Sequence, residues 1–532
     1  MLLLDHFREA FLNGIFYPRW LPNAFGGYGC PTFLFYQPGF FFIALAFSCL
    51  PGYPVLTMHL TLIFLFFIGG VGAYKLCREL SDAITGFLCA IMFILTPYLY
   101  VNLYVRGDLS ELMAMLLLPW PIFLLILLKG YVQKHIAVGG LIGGIAIFLL
   151  MILISHPATA LFFLPVFCLI AVFTALDMGP ARRKFLFSIT ISVVLGLVLS
   201  SPYWFTLFQM KKYVNIEQAV IGYYSADRHV VYLHQLFSPK WGFGASFIGS
   251  GDGMPFPLGL PHFILATIGV LFAKRIRAIR ISYALYILLI LLMTPLATKL
   301  WRGIILFRYV QFPWRILSVT AVLQVICITG LKNITVKWKP SKRIKVTLFL
   351  ILITGLWYSN QFLINSPING CKALKDHKKG MLANFYTYSR LGEFMPRTAK
   401  LRPPSPRGNA PMLVFTAAGE TYELKGNSPY RVRYKVVNET SAGVLINQIY
   451  IPGWEVLLDG ISIPRAELEK NLTEDGRIRL FLPSKGEHII EAFYEGPPGW
   501  FVRNIIIGIA FLGFIVFCIY DKKSCANDTN EH

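Results

Sequence analysis

Charge is what this chain is short of. Of its 532 residues only 14% are charged and 56% are hydrophobic, whereas soluble domains run near a quarter charged. Lipid rather than water is therefore the main solvent to expect. The excess of 49 Lys and Arg over 27 Asp and Glu would point to nucleic acid in a soluble protein. Here the basic residues cluster beside apolar runs, as membrane topology requires, so no nucleic-acid partner is expected. Nine cysteines form no CxxC pair and have no His-rich spacing, which supports neither a disulfide framework nor a zinc site. Cys49, Cys89, Cys168, Cys327 and Cys518 lie inside apolar runs as small hydrophobes. The chain has no P-loop, no GxGxxG between strand and helix, no HExxH and no GxSxG. That removes ATP-driven pumps and soluble-type hydrolases from consideration. Isolated intramembrane acids are scarce and the hydropathy shows no repeat, which tells against a coupled transporter.

What is abundant is long apolar sequence. A bilayer core of ~30 Å takes about 20 residues to cross. Eleven runs qualify, near 54–77, 84–104, 112–129, 137–154, 157–177, 185–206, 257–273, 281–300, 312–331, 344–363 and 499–520. Basic clusters follow each odd-numbered run: Lys75/Arg78, Lys129/Lys134, Arg182 to Lys184, Lys274 to Arg280, Lys332 to Lys345, and Lys522/Lys523. That alternation makes those loops cytoplasmic and puts the others outside. Residues 39–51 are too short to cross and end in Pro51-Gly52, so they are expected as an interfacial or re-entrant helix. Three leucines after Met1 cannot carry residues 1–53 across, and no signal peptide is present. A missing first span is the expectation there. The domains are then an outer loop at 1–53, a helical membrane domain at 54–363 with an outer loop at 207–256, a soluble domain at 364–498, and a last span with its tail at 499–532.

In the soluble segment Pro, Gly, Asn and charge rise and apolar residues alternate. YRVRYKVV (430–437), AGVLINQIYI (442–451), GRIRLFL (476–482) and HIIEAFYE (488–495) are predicted strands. Gly453, Asp459-Gly460 and Gly486 are the predicted turn residues. An antiparallel β domain of sandwich type follows.

Four clusters could carry chemistry. The first is the N-terminal loop, with Asp5 and His6, then Arg19-Trp20 in FYPRW, then a Gly/Tyr/Pro-rich stretch to 38. Its rings suit either stacking on sugars or an interfacial aromatic belt. The second is RGDLSE. There Asp108 or Ser110 suits a helix N-cap with Glu111 in the first turn, or a carboxylate facing Asp5 to bind a divalent metal or serve as general base. The third is QFPWR with Arg302, Arg308 and Arg315; snorkelling explains one arginine at an outer end, and three point to a lipid phosphate. The fourth is His156 in SHPATA, either a functional group or a satisfied turn residue.

Together GIFYPRWLPNAFGGYGCPTFLFYQP, YVRGDLSE, SHPATAL, QFPWR and IYIPGWEVLLDG resemble the bacterial membrane proteins named for a 6-pyruvoyl-tetrahydropterin synthase-related domain. Those proteins in turn look like GT-C polytopic glycosyltransferases; nothing suggests a pterin enzyme. The resemblance covers nearly the whole chain. It implies about eleven transmembrane helices plus juxtamembrane helices, with an extracytoplasmic antiparallel β domain before the last. It further implies sugar transfer from a polyprenyl-phosphate donor to an acceptor outside the bacterial inner membrane. Asp5 matches the family's first acidic position, and Asp108 or Glu111 the second. Asp5 is then the expected base or, with Glu111, a ligand of Mg or Mn. Arg315, Arg308 and Arg106 are expected on the donor phosphate, with His6, Arg19, Trp20 and His156 as further substrate contacts. A non-catalytic glycan-assembly or lipid-linked-glycan-binding protein, and less favoured a transporter, are the alternatives.

Overall fold

The computed structural model describes residues 2–530 apart from 52, 240, 243–244, 274–275, 334–341, 361–391, 402–406, 408–410, 416–418 and 439–442. Most of the basic loop 332–345, part of the basic cluster 274–280 and much of the segment 364–412 therefore lie outside the described residues. The protein is membrane-embedded. Among the described residues seven helices are long and apolar enough to cross: Val55–Leu80, Ala83–Arg106, Leu109–Gln133, Pro157–Ala175, Gly179–Tyr213, Pro313–Leu331 and Trp500–Lys523. Arg277–Met293 and Pro295–Gly303 make an eighth if counted as one span bent by 78°. Three other expected runs hold the shorter helices Gly139–Ser155, Leu260–Phe272 and, in its apolar part, Leu350–Ser359. Each of the eleven expected runs thus holds an apolar helix, seven or eight of them with the length of a full crossing. The Gly39–Phe47 helix has nine residues; at 1.5 Å each it is about 14 Å long and does not cross.

Pro313–Leu331 is the innermost helix and is almost wholly buried. Gly269 lies so close to the Cys327 carbonyl that no side chain fits between, the usual way small residues let helices meet in lipid. Trp500–Asn530 is the opposite case: none of its apolar window is buried. It is fastened near its two ends. Arg503 Nη1 donates to Gln209 Oε1 at 2.7 Å. Eighteen residues on, Asp521 Oδ2 accepts from the N–H groups of Val138 (2.6 Å) and Gly139 (2.8 Å). A carboxylate from one helix therefore caps the N-terminus of another, Gly139–Ser155.

The β domain has two antiparallel sheets. One is β1 (Leu413–Phe415), β4 (Gly443–Ile449) and β7 (Arg477–Phe481) in the order β1-β4-β7. The other runs β2-β3-β8-β5-β6, from β2 (Gly419–Glu423), β3 (Arg431–Asn438), β5 (Trp454–Leu458), β6 (Ile461–Ser462) and β8 (Gly486–Tyr494). The four predicted strands are β3, β4, β7 and β8. Alternate residues of β3 are buried, among them Val432, Tyr434 and Val436, as period-two patterning requires. Asp459 and Gly460 take φ of 50° and 80° in the two-residue turn joining β5 to β6, the geometry that Asp-Gly favours in a hairpin.

The domain is keyed to the membrane helices by the N-terminal loop. Gln448 accepts from Trp20 Nε1 at 2.8 Å and donates to the carbonyls of Pro22 and Gly27. Ile449 N–H donates to Tyr28 O, and Arg407 donates to the carbonyls of Gly26 and Gly27.

Two predictions follow from these contacts. Asp521→Ala leaves two buried N–H groups without an acceptor and should cost about 2 kcal/mol, read as a lower melting temperature in detergent; Asp521→Asn should recover part of it. His488 sits 2.7 Å from Asp459, and that hydrogen bond raises the imidazole above its ordinary 6.5. A raised pKa makes the stabilisation complete below 6.5 and lost as pH rises through the folded value. Exchange of the Ile489 amide, which Asp459 also holds, should therefore quicken on that rise, and His488→Gln should abolish the pH-dependent part.

Candidate functional site

The site grows from one buried acid. Glu111 has no exposed surface, so its charge has to be matched by partners. Tyr98 Oη donates to Oε1 at 2.8 Å, and Arg106 Nη1 donates to Oε2 at 2.6 Å. His156 Nε2 and Arg315 Nε approach the same Oε2 at 3.6 and 3.8 Å. Arg106 also bridges outward: Nη2 donates to Asp108 Oδ2 at 2.9 Å, and Nη1 reaches the Tyr98 hydroxyl and the Asn102 side chain.

Local backbone chemistry sets this up. Residues Val101–Arg106 form a π-helical turn, a device common at functional sites. Gly107 closes it at φ 63°, a left-handed conformation that glycine takes without strain. Asp108 then caps the next helix, accepting from Glu111 N–H at 3.0 Å. His156 does the same for the Pro157–Ala175 helix: its Nδ1 accepts from Thr159 N–H at 3.2 Å. With Nδ1 as acceptor the ring proton is on Nε2, facing Glu111. Burial pushes the His156 pKa down to about 4, so the ring is neutral at pH 7. Burial would raise Asp108, but Arg106 and the other groups around it, Arg315 and the Glu111 N–H among them, together outweigh it and hold that carboxyl down to about 2.

Asp108, His156 and Arg315 line a cavity of about 400 Å³. Its polar lining also includes Tyr36, Gln37, Gln311 and Lys211, and Leu161, Leu207, Phe208 and Leu306 are among its apolar lining residues. Arg315 Nη1 is held by Val310 O at 2.8 Å and Gln311 Oε1 at 3.1 Å, which fixes the guanidinium at the cavity edge.

Asp108, Glu111 and His156 each present one ligand atom, all within 4.8 Å of one another, so the group could hold a metal ion. Two features oppose it as built. Arg106 and Arg315 already supply the positive charge beside Glu111, and the capping role of His156 Nδ1 leaves the proton on the nitrogen that would face a metal.

The expectation of an Asp5–Glu111 pair is corrected. The metal-competent group excludes Asp5, whose carboxylate accepts from the Tyr53 hydroxyl. Tyr53 lies just before the Val55–Leu80 helix, and Asp5 is not among the residues lining the cavity beside Glu111. His6 pairs with Glu9 at 3.6 Å and stays away from the cavity lining. Arg308 donates to Arg302 O at 3.3 Å at the surface, and Arg302 pairs with Asp227. Arg19 and Trp20 lie at the seam with the β domain. Of the expected residues, Asp108, His156 and Arg315 line the cavity and Arg106 and Glu111 stand behind it. Sequence reasoning missed Tyr98, Tyr36 and Lys211; a tyrosine 13 residues from the acid it serves leaves no periodic signal.

No family model matches the chain, and no curated protein matches it.

Glu111→Ala should leave Arg106 and Arg315 with Asp108 as their one remaining buried counter-charge in this cluster and cost about 3 kcal/mol or more. The double variant Glu111→Gln/Arg106→Gln should be less destabilised than Glu111→Ala, compared by thermal unfolding in the same detergent.

Proposed function

We propose that this protein is a GT-C-type membrane glycosyltransferase, moving a sugar from a polyprenyl-phosphate donor to an acceptor on the extracytoplasmic side of a bacterial inner membrane. The observation that carries the reading is the cavity's mixed lining: Arg315, Lys211, Asp108 and His156 share it with leucines and Phe208. An isoprenoid phosphate likewise combines an anion with hydrocarbon in one ligand.

In the reaction the acceptor hydroxyl oxygen attacks the anomeric carbon, and the carbon–oxygen bond to phosphate breaks. The bonding electrons leave with polyprenyl phosphate, and Arg315 with Lys211 stabilises the charge that develops there. Asp108, the carboxylate on the cavity wall, takes the acceptor proton. Its low pKa makes it a weak base, which suits a dissociative transfer in which the proton leaves late. Arg106 and Glu111 hold Asp108 and Arg315 in register.

A second reading, glycan-lipid binding without transfer, draws on one observation. Asp108 and Glu111 are already paired with Arg106, and Asp108 is also spent on a helix cap.

The test is transfer from labelled polyprenyl-phosphate sugars by the full chain in liposomes. Transfer is expected, with Arg315→Gln and Asp108→Asn each lowering it about a hundredfold. Loss with Asp5→Asn but not Asp108→Asn would hand the base role to Asp5. Donor binding without any transfer by the parent chain would sink the enzyme reading and favour the second.

A further inference from the structure

Away from the cavity, two arginines meet with no acid to balance them. The Arg19 guanidinium lies over the Tyr17 ring at 4.4 Å and faces the Trp500 ring at 6.0 Å. Its Nε is buried with no hydrogen-bond partner. Arg503, one turn into the last helix, lies over Phe205 at 5.2 Å and spends Nη1 on Gln209 Oε1 and Pro498 O. Its Nη2 is likewise buried and unpartnered. Among the described residues no carboxylate stands within ion-pair distance of either arginine. The groups that act on them electrostatically are each other and the hydroxyls of Tyr17 and Tyr494. Burial holds the Arg19 pKa below its usual value.

Two like charges side by side, each with a buried N–H left unpartnered, are unfavourable unless an anion joins them. The surroundings specify which anion. The last helix begins at Trp500, so its first-turn N–H groups and its dipole add positive potential at the same place. Next to them Phe501 and Val502 are exposed, 63% and 58%, on a helix that carries an unburied apolar surface along its length. An anion here meets hydrocarbon directly below it, and Tyr17 and Trp500 are the ring types that favour the headgroup level.

We propose that Arg19 and Arg503 bind the phosphate of a membrane phospholipid whose acyl chains run down the last helix. The site is separate from the cavity. Neither arginine lines that cavity. The bound lipid would tie the N-terminal loop to the last helix, independently of any sugar transfer.

The test uses the purified full chain in detergent with three probes: dioleoylphosphatidylglycerol, dioleoylglycerol and inorganic phosphate, read by native mass spectrometry and thermal shift. Phosphatidylglycerol is expected to bind and stabilise, and the other two are not. Arg19→Gln/Arg503→Gln should weaken it about tenfold or more, and Arg19→Lys/Arg503→Lys, which keeps charge but loses the fork, by less. Equal binding of dioleoylglycerol would reduce the site to a greasy groove and overturn the proposal. Equal stabilisation by inorganic phosphate would make it a free-anion site and overturn the lipid assignment. If Arg315→Gln removed the lipid while the paired arginine variants kept it, the lipid would belong to the cavity and the proposal would fall. Should the glutamine pair fail to fold, the three probes on the parent chain decide between these outcomes.

Discussion

A carboxylate with no contact with solvent must be neutralised where it stands, and the arrangement around Glu111 follows from that requirement. Its partners come from three stretches of chain: Tyr98 and Arg106, then His156, then Arg315. Each stretch also opens or closes a helix. The need to compensate one buried charge therefore fixes how several helix ends meet. The cavity is the space left beside them, and His156 and Arg315 give it part of its polar lining. Stability and the candidate chemistry here rest on one set of contacts, so substitutions in this cluster will rarely affect only one of the two.

The N-terminal loop plays a comparable part at the next level up. Loops are ordinarily the variable surface of a fold, but residues 20–29 are hydrogen-bonded into the β domain on one side. On the other, the neighbouring residues pack into the aromatic cluster of Phe7, Phe33 and Phe41. Gln448 is the pivot of this join, since both ends of its amide are used. The β domain is thereby held against the helices by polar contacts of fixed geometry, in addition to apolar packing, which alone would tolerate sliding.

The parts of this architecture legible in the sequence were those set by local rules. Alternation revealed β3, β4, β7 and β8, and Asp459-Gly460 announced its hairpin. Asp108 was expected as an N-cap and is one, and it lines the cavity as well. Chain neighbours cannot report which helix ends meet, so the absence of Asp5 from the Asp108–Glu111–His156 group was invisible. Tyr98 was invisible too, because a π-helical turn resets the register between it and Glu111. Strands β1 and β6, of three and two residues, are too short for alternation to stand out. Composition measures how apolar a run is, and not how much of it forms one straight helix, so helix lengths within the apolar runs were not legible either.

The two fasteners of the last helix have a consequence of their own. Arg503 and Asp521 are eighteen residues apart, or about 27 Å along a helix. That is close to the hydrocarbon thickness of a bilayer, about 30 Å. A helix pinned top and bottom, with Phe514 and Cys518 set against Gly143 and Gly139 between, has little freedom to slide when that thickness changes, and answers a mismatch by tilting. Because its upper pin adjoins β8 and the N-terminal loop, such a tilt would be handed straight to the β domain. The helix is thus a gauge of the lipid around it, with the soluble domain as its pointer.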